Sequence, residues 1–237
     1  MQNRYSGDIG DFGKLGLLRH LQEAGFSVGV NWYLTPDEAH NSDGRFTVYL
    51  NRPSCDEPLR LLLKQHVHLD NRLVSSLQHP DILQAKFFSD ELNFADCTKA
   101  ERQTKRQNWH QDALLALGGC QIVFADPDNG LMVPSAEGKK KSNKFVTVQE
   151  LADHYQNGAS VIYYQHRARR RDDFYRNQHQ QLLESGAFPQ AAGFGLKFQT
   201  TSQRYYFFLV HPEHAADISN CVENFLQAGW SAHFSLL

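Results

Sequence analysis

The sequence has 237 residues, a length that suits one large α/β domain with a sizeable core or two small domains. Its hydrophobic fraction of 41% and charged fraction of 21% are ordinary for a globular protein and argue against disorder. The formal net charge is −2, so a nucleic acid would have to bind to local basic patches. No apolar stretch is long enough to cross a bilayer, and no signal peptide is recognisable. The four cysteines lack CxxC spacing, which is typical of the reduced thiols of a cytoplasmic protein.

The first elements along the chain are predicted to be a helix, a strand and a polar loop. The leucines of residues 15–21 recur at helical spacing after a glycine-rich opening, and Gly25 is expected to end this helix. The first strand is predicted at residues 27–34. Residues 35–45 are polar, so they form either a solvated loop or one wall of an active site.

The middle of the chain predicts two helices and two strands. The apolar clusters of residues 59–77 indicate a helix, a short strand is expected at residues 85–88, and residues 109–117 indicate a further helix. The run Ile122–Ala125 is continuously apolar. Such a run is typical of a strand that is buried on both faces of a parallel sheet.

The rest of the chain begins with residues 137–144, which are expected to form a mobile loop too polar to be buried. Helices and strands then alternate, with helices predicted at residues 148–155, 172–184 and 215–227 and strands at residues 159–165, 193–199, 204–210 and 232–236. The second and third of these strands are expected to pair as a hairpin. This order predicts an α/β fold with a doubly wound, mostly parallel, Rossmann-like sheet and an antiparallel C-terminal edge. No repeat or linker is recognisable, so residues 1–237 are expected to form a single domain.

The turn after the strand Ile122–Ala125 carries the strongest candidates for chemistry. It reads Asp-Pro-Asp-Asn-Gly, and ligands of open α/β sheets bind at the carboxyl ends of strands. Asp126 alone could cap the turn through backbone amides. Asp126, Asp128 and Asn129 together exceed what a turn needs and predict a catalytic cluster. His166 ends the second buried strand, where it is either a general acid or base at the same edge or an ordinary hydrogen-bonding residue.

A second motif opens the chain, with Gly-Asp-Ile-Gly-Asp-Phe-Gly-Lys at residues 7–14. It can be read simply as a helix start, with Asp8 or Asp11 as the N-cap. The functional interpretation places Lys14 near the acidic turn, where it pairs with a carboxylate or contacts a phosphate.

Together these two motifs resemble those of amino-methyltransferases. The turn at residues 126–129 looks like a variant of the Asp-Pro-Pro-Tyr motif. Gly7, Asp11 and Lys14 are in register with the His-Ala-Gly-Asn-x-Ala-Asp-x-x-Lys signature of the enzymes that methylate adenine N6 in 23S ribosomal RNA. The later order also agrees: a strand with an acidic turn, a helix, a strand, a helix, a hairpin, and a last helix and strand. The resemblance implies a methyltransferase-like fold and S-adenosylmethionine as cofactor.

The resemblance also implies roles for single residues. Asp126 would hold or activate the amine that receives the methyl group, with Asp128 and Asn129 completing the pocket. Lys14 and His166 would stabilise charge. The cofactor would be bound by residues of the first motif and of the loop after the first strand: Gly7, Asp8, Asp11, Thr35 and Asp37.

The chain departs from the family pattern at two places. Residues 35–45 contain one glycine, Gly44, where the family has a glycine-rich cofactor loop. Asp128 and Asn129 stand in place of a proline and of the aromatic residue on which a flipped base would stack.

A metal-dependent nuclease or phosphoesterase is the alternative enzyme. Asp126, Asp128, Asp37 and His40 could hold Mg²⁺ or Mn²⁺, which activates water and offsets phosphoryl charge. A binding protein without catalysis is a third possibility. Basic residues expected at the rim are either solvated or bind the phosphates of a nucleic acid or nucleotide substrate: Arg167, Arg169, Arg170, Lys139, Lys140 and Lys141.

Overall fold

A central sheet with helices on both sides forms the fold. The computed structural model describes residues 1–38, 44–200 and 203–237. The strands in this part of the chain are β1 Val28–Asn31, β2 Lys86–Phe88, β3 Ile122–Ala125, β4 Gly130–Leu131, β5 Phe145–Val146, β6 Ser160–His166, β7 Ala192–Gln199, β8 Gln203–Val210 and β9 Phe234–Leu236. The α-helices are α1 Ile9–Glu23, α2 Glu57–His66, α3 Lys99–Leu117, α4 Val148–Gln156, α5 Asp172–Glu184 and α6 Ala215–Gln227.

Seven strands lie in the spatial order β2-β1-β3-β6-β8-β7-β9, while β4 and β5 form a separate parallel pair. The strands β2, β1, β3 and β6 are parallel to one another. Antiparallel pairing then joins β6 to β8, β8 to β7 and β7 to β9. The architecture is therefore a Rossmann-like α/β sheet whose C-terminal strands pair in antiparallel fashion.

The two faces of the sheet carry separate cores. Phe124 of β3 is buried with residues of α1, α2 and α6, whereas Val123 is buried with residues of α3, α4 and α5. Successive side chains of a strand point to opposite faces, so a strand between two cores must be apolar at every position. This explains the continuous apolar run of β3.

Most of the elements predicted from the sequence are confirmed. The helices α4, α5 and α6 and the strands β1, β2, β3 and β6 form at or within a few residues of the predicted positions. The predicted hairpin of β7 and β8 is also confirmed. The antiparallel part of the sheet is larger than the predicted edge, because it takes in β8, β7 and β9.

Two helix predictions were wrong in extent. The helix predicted over residues 59–77 ends at His66, because the chain becomes extended at Val67. Asp, Asn and His in the following residues are weak helix formers. Conversely, α3 begins well before the predicted residue 109, because Thr98 and Glu101 form a capping box that starts the helix there.

The expectation that residues 137–144 are too polar to be buried was also wrong. This segment contains the short 3-10 helix Lys140–Lys144, and both Ser142 and Asn143 are buried. The Asn143 amide donates a hydrogen bond to the backbone oxygen of Leu92 at 2.8 Å. This hydrogen bond replaces one that the side chain would make to water if it were exposed.

Among the described residues no helix combines the length and the apolar character needed to span a membrane. Within the sheet, β2 lies next to β1 on one side, and β3 lies next to β1 on the opposite side. The carboxyl ends of β1 and β3 thus form a topological switch point, the position at which α/β sheets bind ligands.

Candidate functional site

A cavity of about 360 Å³ opens beside this switch point. Its wall is formed by the start of α1, by the turn after β3, and by the adjoining ends of β6 and β8. Seven of the residues singled out in the sequence line it: Asp8, Asp11, Lys14, Asp126, Asp128, Asn129 and His166. The two sequence motifs therefore meet in one place.

Lys14 joins the two motifs directly. Its Nζ lies 2.8 Å from Asp11 Oδ1 and 2.5 Å from Asp126 Oδ2, although 112 residues separate Lys14 from Asp126. Asp11 and Lys14 are one helical turn apart, so they share a face of α1. The Gly7 N–H donates to Asp11 Oδ2 at 2.8 Å, and the Asp126 N–H donates to the backbone oxygen of Asn31 in β1 at 2.9 Å. Both carboxylates are thus fixed in orientation.

Burial sets the charge states of this cluster. Burial alone would lower the pKa of Lys14, but the carboxylates of Asp11 and Asp126 outweigh it and raise the pKa of Lys14 above its ordinary value. Lys14 is therefore a fixed positive charge at neutral pH and not a general base. Burial raises the pKa of Asp126, and the Lys14 ammonium opposes this rise.

The second oxygen of Asp126 faces a different situation. Lys14 occupies Oδ2, whereas no hydrogen bond within residues 1–38, 44–200 and 203–237 reaches Asp126 Oδ1. Because Asp126 lines the cavity, this oxygen is available to a ligand.

A second ion pair lies beside the first on the cavity wall. Asp8 is the N-cap of α1, and its Oδ1 accepts hydrogen bonds from the N–H groups of Gly10 and Asp11 at 2.7 and 3.1 Å. Arg204 of β8 reaches the same oxygen at 3.7 Å. A Cβ at Gly10 would lie 1.2 Å from Arg204 Nη1, so glycine at this position gives the guanidinium its room.

The oxygens of Asp128 are already in use. The terminal ammonium of Met1 lies 2.7 Å from Asp128 Oδ1 and also donates to the backbone oxygen of Asp126 at 3.2 Å. Gln2 Nε2 donates to Asp128 Oδ2 at 3.1 Å, and Lys144 Nζ lies 3.8 Å from that oxygen. Asp128 therefore holds the first residues of the chain against the acidic turn.

Gln165 fixes the turn that presents Asn129. Its Nε2 donates to the backbone oxygen of Asn129 at 2.9 Å, and its Oε1 accepts from the Leu131 N–H at 2.9 Å. Gly130 has a φ of 101°, and a Cβ there would lie 2.1 Å from Gln165 Oε1. Glycine is required at this position both for the backbone and for the approach of Gln165. The Asn129 side chain lines the cavity beside this turn.

Aromatic rings and one histidine also line the cavity. Phe46 lines it with 44% of its surface exposed, together with Tyr5 and Tyr164. The Tyr164 hydroxyl lies 3.4 Å from His166 Nδ1, and burial raises the pKa of Tyr164 to about 12. Phe46 thus provides an exposed ring, the feature that the turn at residues 126–129 lacks.

Some of the residues implied for the cofactor or a metal do not line the cavity. Thr35 is buried, and its N–H donates to the Met1 oxygen at 2.9 Å, so it supports the first residue of the chain. Asp37 is exposed and accepts from the Arg4 N–H at 3.2 Å. Gly7 orients Asp11 without reaching the cavity, and His40 lies outside the described residues.

The basic runs lie beyond the cavity lining. None of the six proposed phosphate contacts borders the cavity: Arg167, Arg169, Arg170, Lys139, Lys140 and Lys141. Arg167 Nε lies 3.3 Å from Asp172 Oδ1, and Lys140 donates to the backbone oxygen of Ala95. These residues can meet a polyanion only outside the cavity.

Arg204, Phe46 and Met1 line the cavity but were not proposed from the sequence. A topological signal could have indicated Arg204, because β8 runs antiparallel to β6 and its first residues lie at the edge where β6 ends. Arg204 pairs in register with His166. No comparable pattern marks Phe46 or Met1.

Comparisons with known proteins give no match, either to a protein-family model or to a curated protein.

Proposed function

We propose that this chain is a methyltransferase-like enzyme that transfers a methyl group from S-adenosylmethionine to an amine of a nucleic acid or of a nucleotide-containing substrate. The observation that carries the proposal is the contact between Lys14 and Asp126. It joins the two motifs on which the resemblance to amino-methyltransferases rests.

The arrangement of the strands supports the proposal. The acidic turn follows β3 at the switch point of the sheet, where ligands of α/β proteins bind. After β3 the long elements follow in the order α4, β6, α5, β7, β8, α6 and β9, as the resemblance implies. A fold does not assign an activity, so the chemistry of the site has to carry the rest.

The charges and size of the cavity fit the cofactor. The amino-acid part of S-adenosylmethionine has a carboxylate, an ammonium group and a sulfonium. Lys14 and Arg204 offer positive charge, and Asp8, Asp11 and Asp126 offer negative charge in the same cavity. Both signs in one site complement such a ligand better than a simple polyanion. The volume of about 360 Å³ lies in the range of roughly 300–1,000 Å³ that holds small molecules.

Asp126 would orient the amine that reacts. Its Oδ1 accepts a hydrogen bond from the amine N–H and takes up the proton that the nitrogen loses as the new N–C bond forms. Lys14 binds Oδ2 and so holds the carboxylate in one orientation. S-adenosylmethionine, when bound, would supply the methyl group from its sulfonium, and the S–CH3 bond would break to leave the neutral thioether S-adenosylhomocysteine. The exposed ring of Phe46 provides a face on which a base can stack at the cavity.

The same geometry does not favour a divalent ion at this place. Asp126 is paired with Lys14, and Asp128 is paired with the Met1 ammonium, so cations of the chain occupy oxygens that a metal would need. Asp37 does not line the cavity. Within the described residues, the metal-ligand cluster lies elsewhere. The hydrolase alternative therefore has no observation that favours it.

Calorimetric titration with S-adenosylmethionine tests the proposal. We expect saturable binding to the wild-type protein and transfer of a labelled methyl group to RNA or a nucleotide. Asp126→Asn should lower the rate of transfer about 100-fold, because it removes the proton acceptor. Asp112→Asn, an exposed change on α3, is the control and should alter neither result. Absence of binding by folded wild-type protein at millimolar ligand would contradict the proposal.

A further inference from the structure

A second cluster of titratable side chains lies at the other end of α1. It consists of His66, the last residue of α2, and of His79 and Asp81, which follow a 3-10 turn. Arg19, in the C-terminal part of α1, donates to the Asp81 backbone oxygen at 3.0 Å. The candidate active site lies at the N-terminal end of the same helix, so the two sites are separate.

The three side chains present ligand atoms to one another. His79 Nδ1 lies 3.4 Å from Asp81 Oδ2, and His66 Nε2 lies 3.9 Å from Asp81 Oδ2. One ligand atom from each residue lies within 4.8 Å of the other two. Zinc bonds of about 2.0–2.1 Å in a tetrahedron put neighbouring ligand atoms roughly 3.3 Å apart. The His79–Asp81 separation matches this spacing, and the others need side-chain movements on the order of 1 Å.

The two histidines differ in how available their nitrogen lone pairs are. His79 Nδ1 accepts from the Asp81 N–H at 3.3 Å, so an ion would have to displace this hydrogen bond. His66 Nε2 is buried and has no hydrogen-bond partner in the part of the chain that the structure describes. A buried polar nitrogen normally has a partner, and a metal ion would provide one.

The two imidazole rings lie face to face, so one ring has to turn before both can present a nitrogen to the same ion. The imidazoles of His66 and His79 stack with their centroids 3.8 Å apart and their planes inclined by 24°. Neutral imidazole and ionised carboxylate are the forms that bind metal ions.

We infer that His66, His79 and Asp81 form a site for a divalent transition-metal ion of the zinc type. Two imidazoles and one carboxylate suit zinc, whereas magnesium and calcium prefer oxygen ligands. The Asp81 side chain is 61% exposed, so water completes the coordination from the solvent side. The bound ion ties the end of α2 to the segment that leads into β2.

Titration of the full chain with Zn²⁺ tests this site. We expect one bound ion per chain and a Tm that rises with zinc concentration, because the ion binds the folded state. His66→Gln and Asp81→Asn should each weaken binding about tenfold or more. His68→Gln is the matched control, because His68 is exposed and lies two residues from His66, and it should bind zinc like the wild type.

Substitution with Co²⁺ gives a readout that does not depend on stability. An intense visible absorption band is expected from tetrahedral coordination in the wild type and should be lost in Asp81→Asn. The Tm of each variant without zinc should equal that of the zinc-free wild type, since the side chains are partly exposed.

Two results would overturn the site: no saturable zinc binding by the wild type, or binding that both ligand variants retain. Asp81→Asn should leave the titration with S-adenosylmethionine unchanged, because Asp81 is remote from the cavity lining. Failure of the zinc site and failure of the proposed function are therefore distinguishable.

Discussion

Two buried ion pairs of this chain share their chemistry but differ in what their carboxylate oxygens contact. Lys14 binds Asp126 at the candidate site, and Arg106 of α3 binds Glu150 of α4. In both pairs the carboxylate side chain is only 5% exposed. Burial and pairing alone therefore do not distinguish a functional site from a structural one.

The Arg106–Glu150 pair is closed. Arg106 Nε and Nη2 donate to Glu150 Oε1 and Oε2 at 2.5 and 2.7 Å. The Tyr33 hydroxyl and the Thr147 N–H donate to Oε2 at 3.2 and 2.9 Å. Burial alone would raise the pKa of Glu150, but Arg106 and these hydrogen bonds lower it below its ordinary value. Both oxygens are used, so the pair holds α3 to α4 and is not suited to bind a ligand.

The Lys14–Asp126 pair is open. One oxygen of Asp126 is bound by Lys14, while no hydrogen bond from the described residues reaches the other, and burial raises the pKa of Asp126. A carboxylate with a raised pKa and a free oxygen can exchange a proton with a ligand. The open oxygen, and not the ion pair, is therefore the feature that suits the candidate site to bind a ligand.

Breaking the closed pair should have the largest effect on stability. Arg106→Met leaves the buried Glu150 charge without its partner and should lower the free energy of unfolding by about 3–5 kcal/mol. Urea unfolding measures this change. Lys105→Met on the exposed side of α3 is the control and should change stability by less than about 0.5 kcal/mol. A similar effect of both changes on the free energy of unfolding would show that the Arg106–Glu150 pair stabilises the fold no more than an exposed lysine does.

His179 is buried and forms no ion pair with any other described residue. Its pH dependence therefore measures what it costs to bury a charge without a partner. Burial lowers the pKa of His179 from 6.5 to about 4. Because the pKa in the folded state is the lower one, the stability contributed by the neutral ring is present above pH 6.5 and is lost as the pH falls toward 4. The loss should be about 3 kcal/mol, and His179→Phe should remove it from urea unfolding measured across this pH range. An unchanged pH dependence in this variant would contradict the assignment.

Removing the cation of the open pair should cost less than removing Arg106. Lys14→Met leaves Asp11 and Asp126 close together, but a carboxyl with a raised pKa can take up a proton and so avoid an unpaired buried charge. We expect a loss of about 1–3 kcal/mol in urea unfolding. A loss larger than that of Arg106→Met would contradict the expectation that Asp126 takes up a proton when its cation is removed.

The smallest effect is expected at the cavity rim. Lys144 Nζ lies 2.5 Å from Glu38 Oε2, and both side chains are partly exposed. Lys144→Met should lower the free energy of unfolding by less than about 1 kcal/mol, because solvent screens such pairs. A loss above about 2 kcal/mol would show that the rim pair behaves like a buried one.

The sequence predicted the position of the candidate site better than it predicted all the residues that line it. The turn at residues 126–130 and the motif at residues 7–14 each have a local signal, namely an apolar strand that ends in acids and a glycine-rich helix start. Parallel strands end at one edge, so the topology brings such strand ends together. This is why Asp126 and His166 were expected at one edge and do line one cavity.

The remaining parts depend on contacts between distant residues, which local patterns do not encode. Arg204 lies near the start of β8, and the direction of this strand had to be known before the position of Arg204 could be inferred. Asn143 is buried only because the backbone oxygen of Leu92 accepts its hydrogen bond. The helix predicted over residues 59–77 failed for a similar reason, since Val74 and Leu77 pack into the core from a separate 3-10 helix and not from a continuation of α2.

Asp126→Asn and Glu150→Gln, measured side by side for binding of S-adenosylmethionine and for urea unfolding, test the central claim most directly. Asp126→Asn should weaken binding about tenfold or more, because the cavity loses one of the negative charges that complement the cations of the cofactor. It should lower the free energy of unfolding less than Glu150→Gln does, because Asp11 still pairs with Lys14. Glu150→Gln should do the reverse, because its oxygens hold α3 and α4 and do not line the cavity. Wild-type binding in Asp126→Asn, or an equal loss of binding in both variants, would contradict the account.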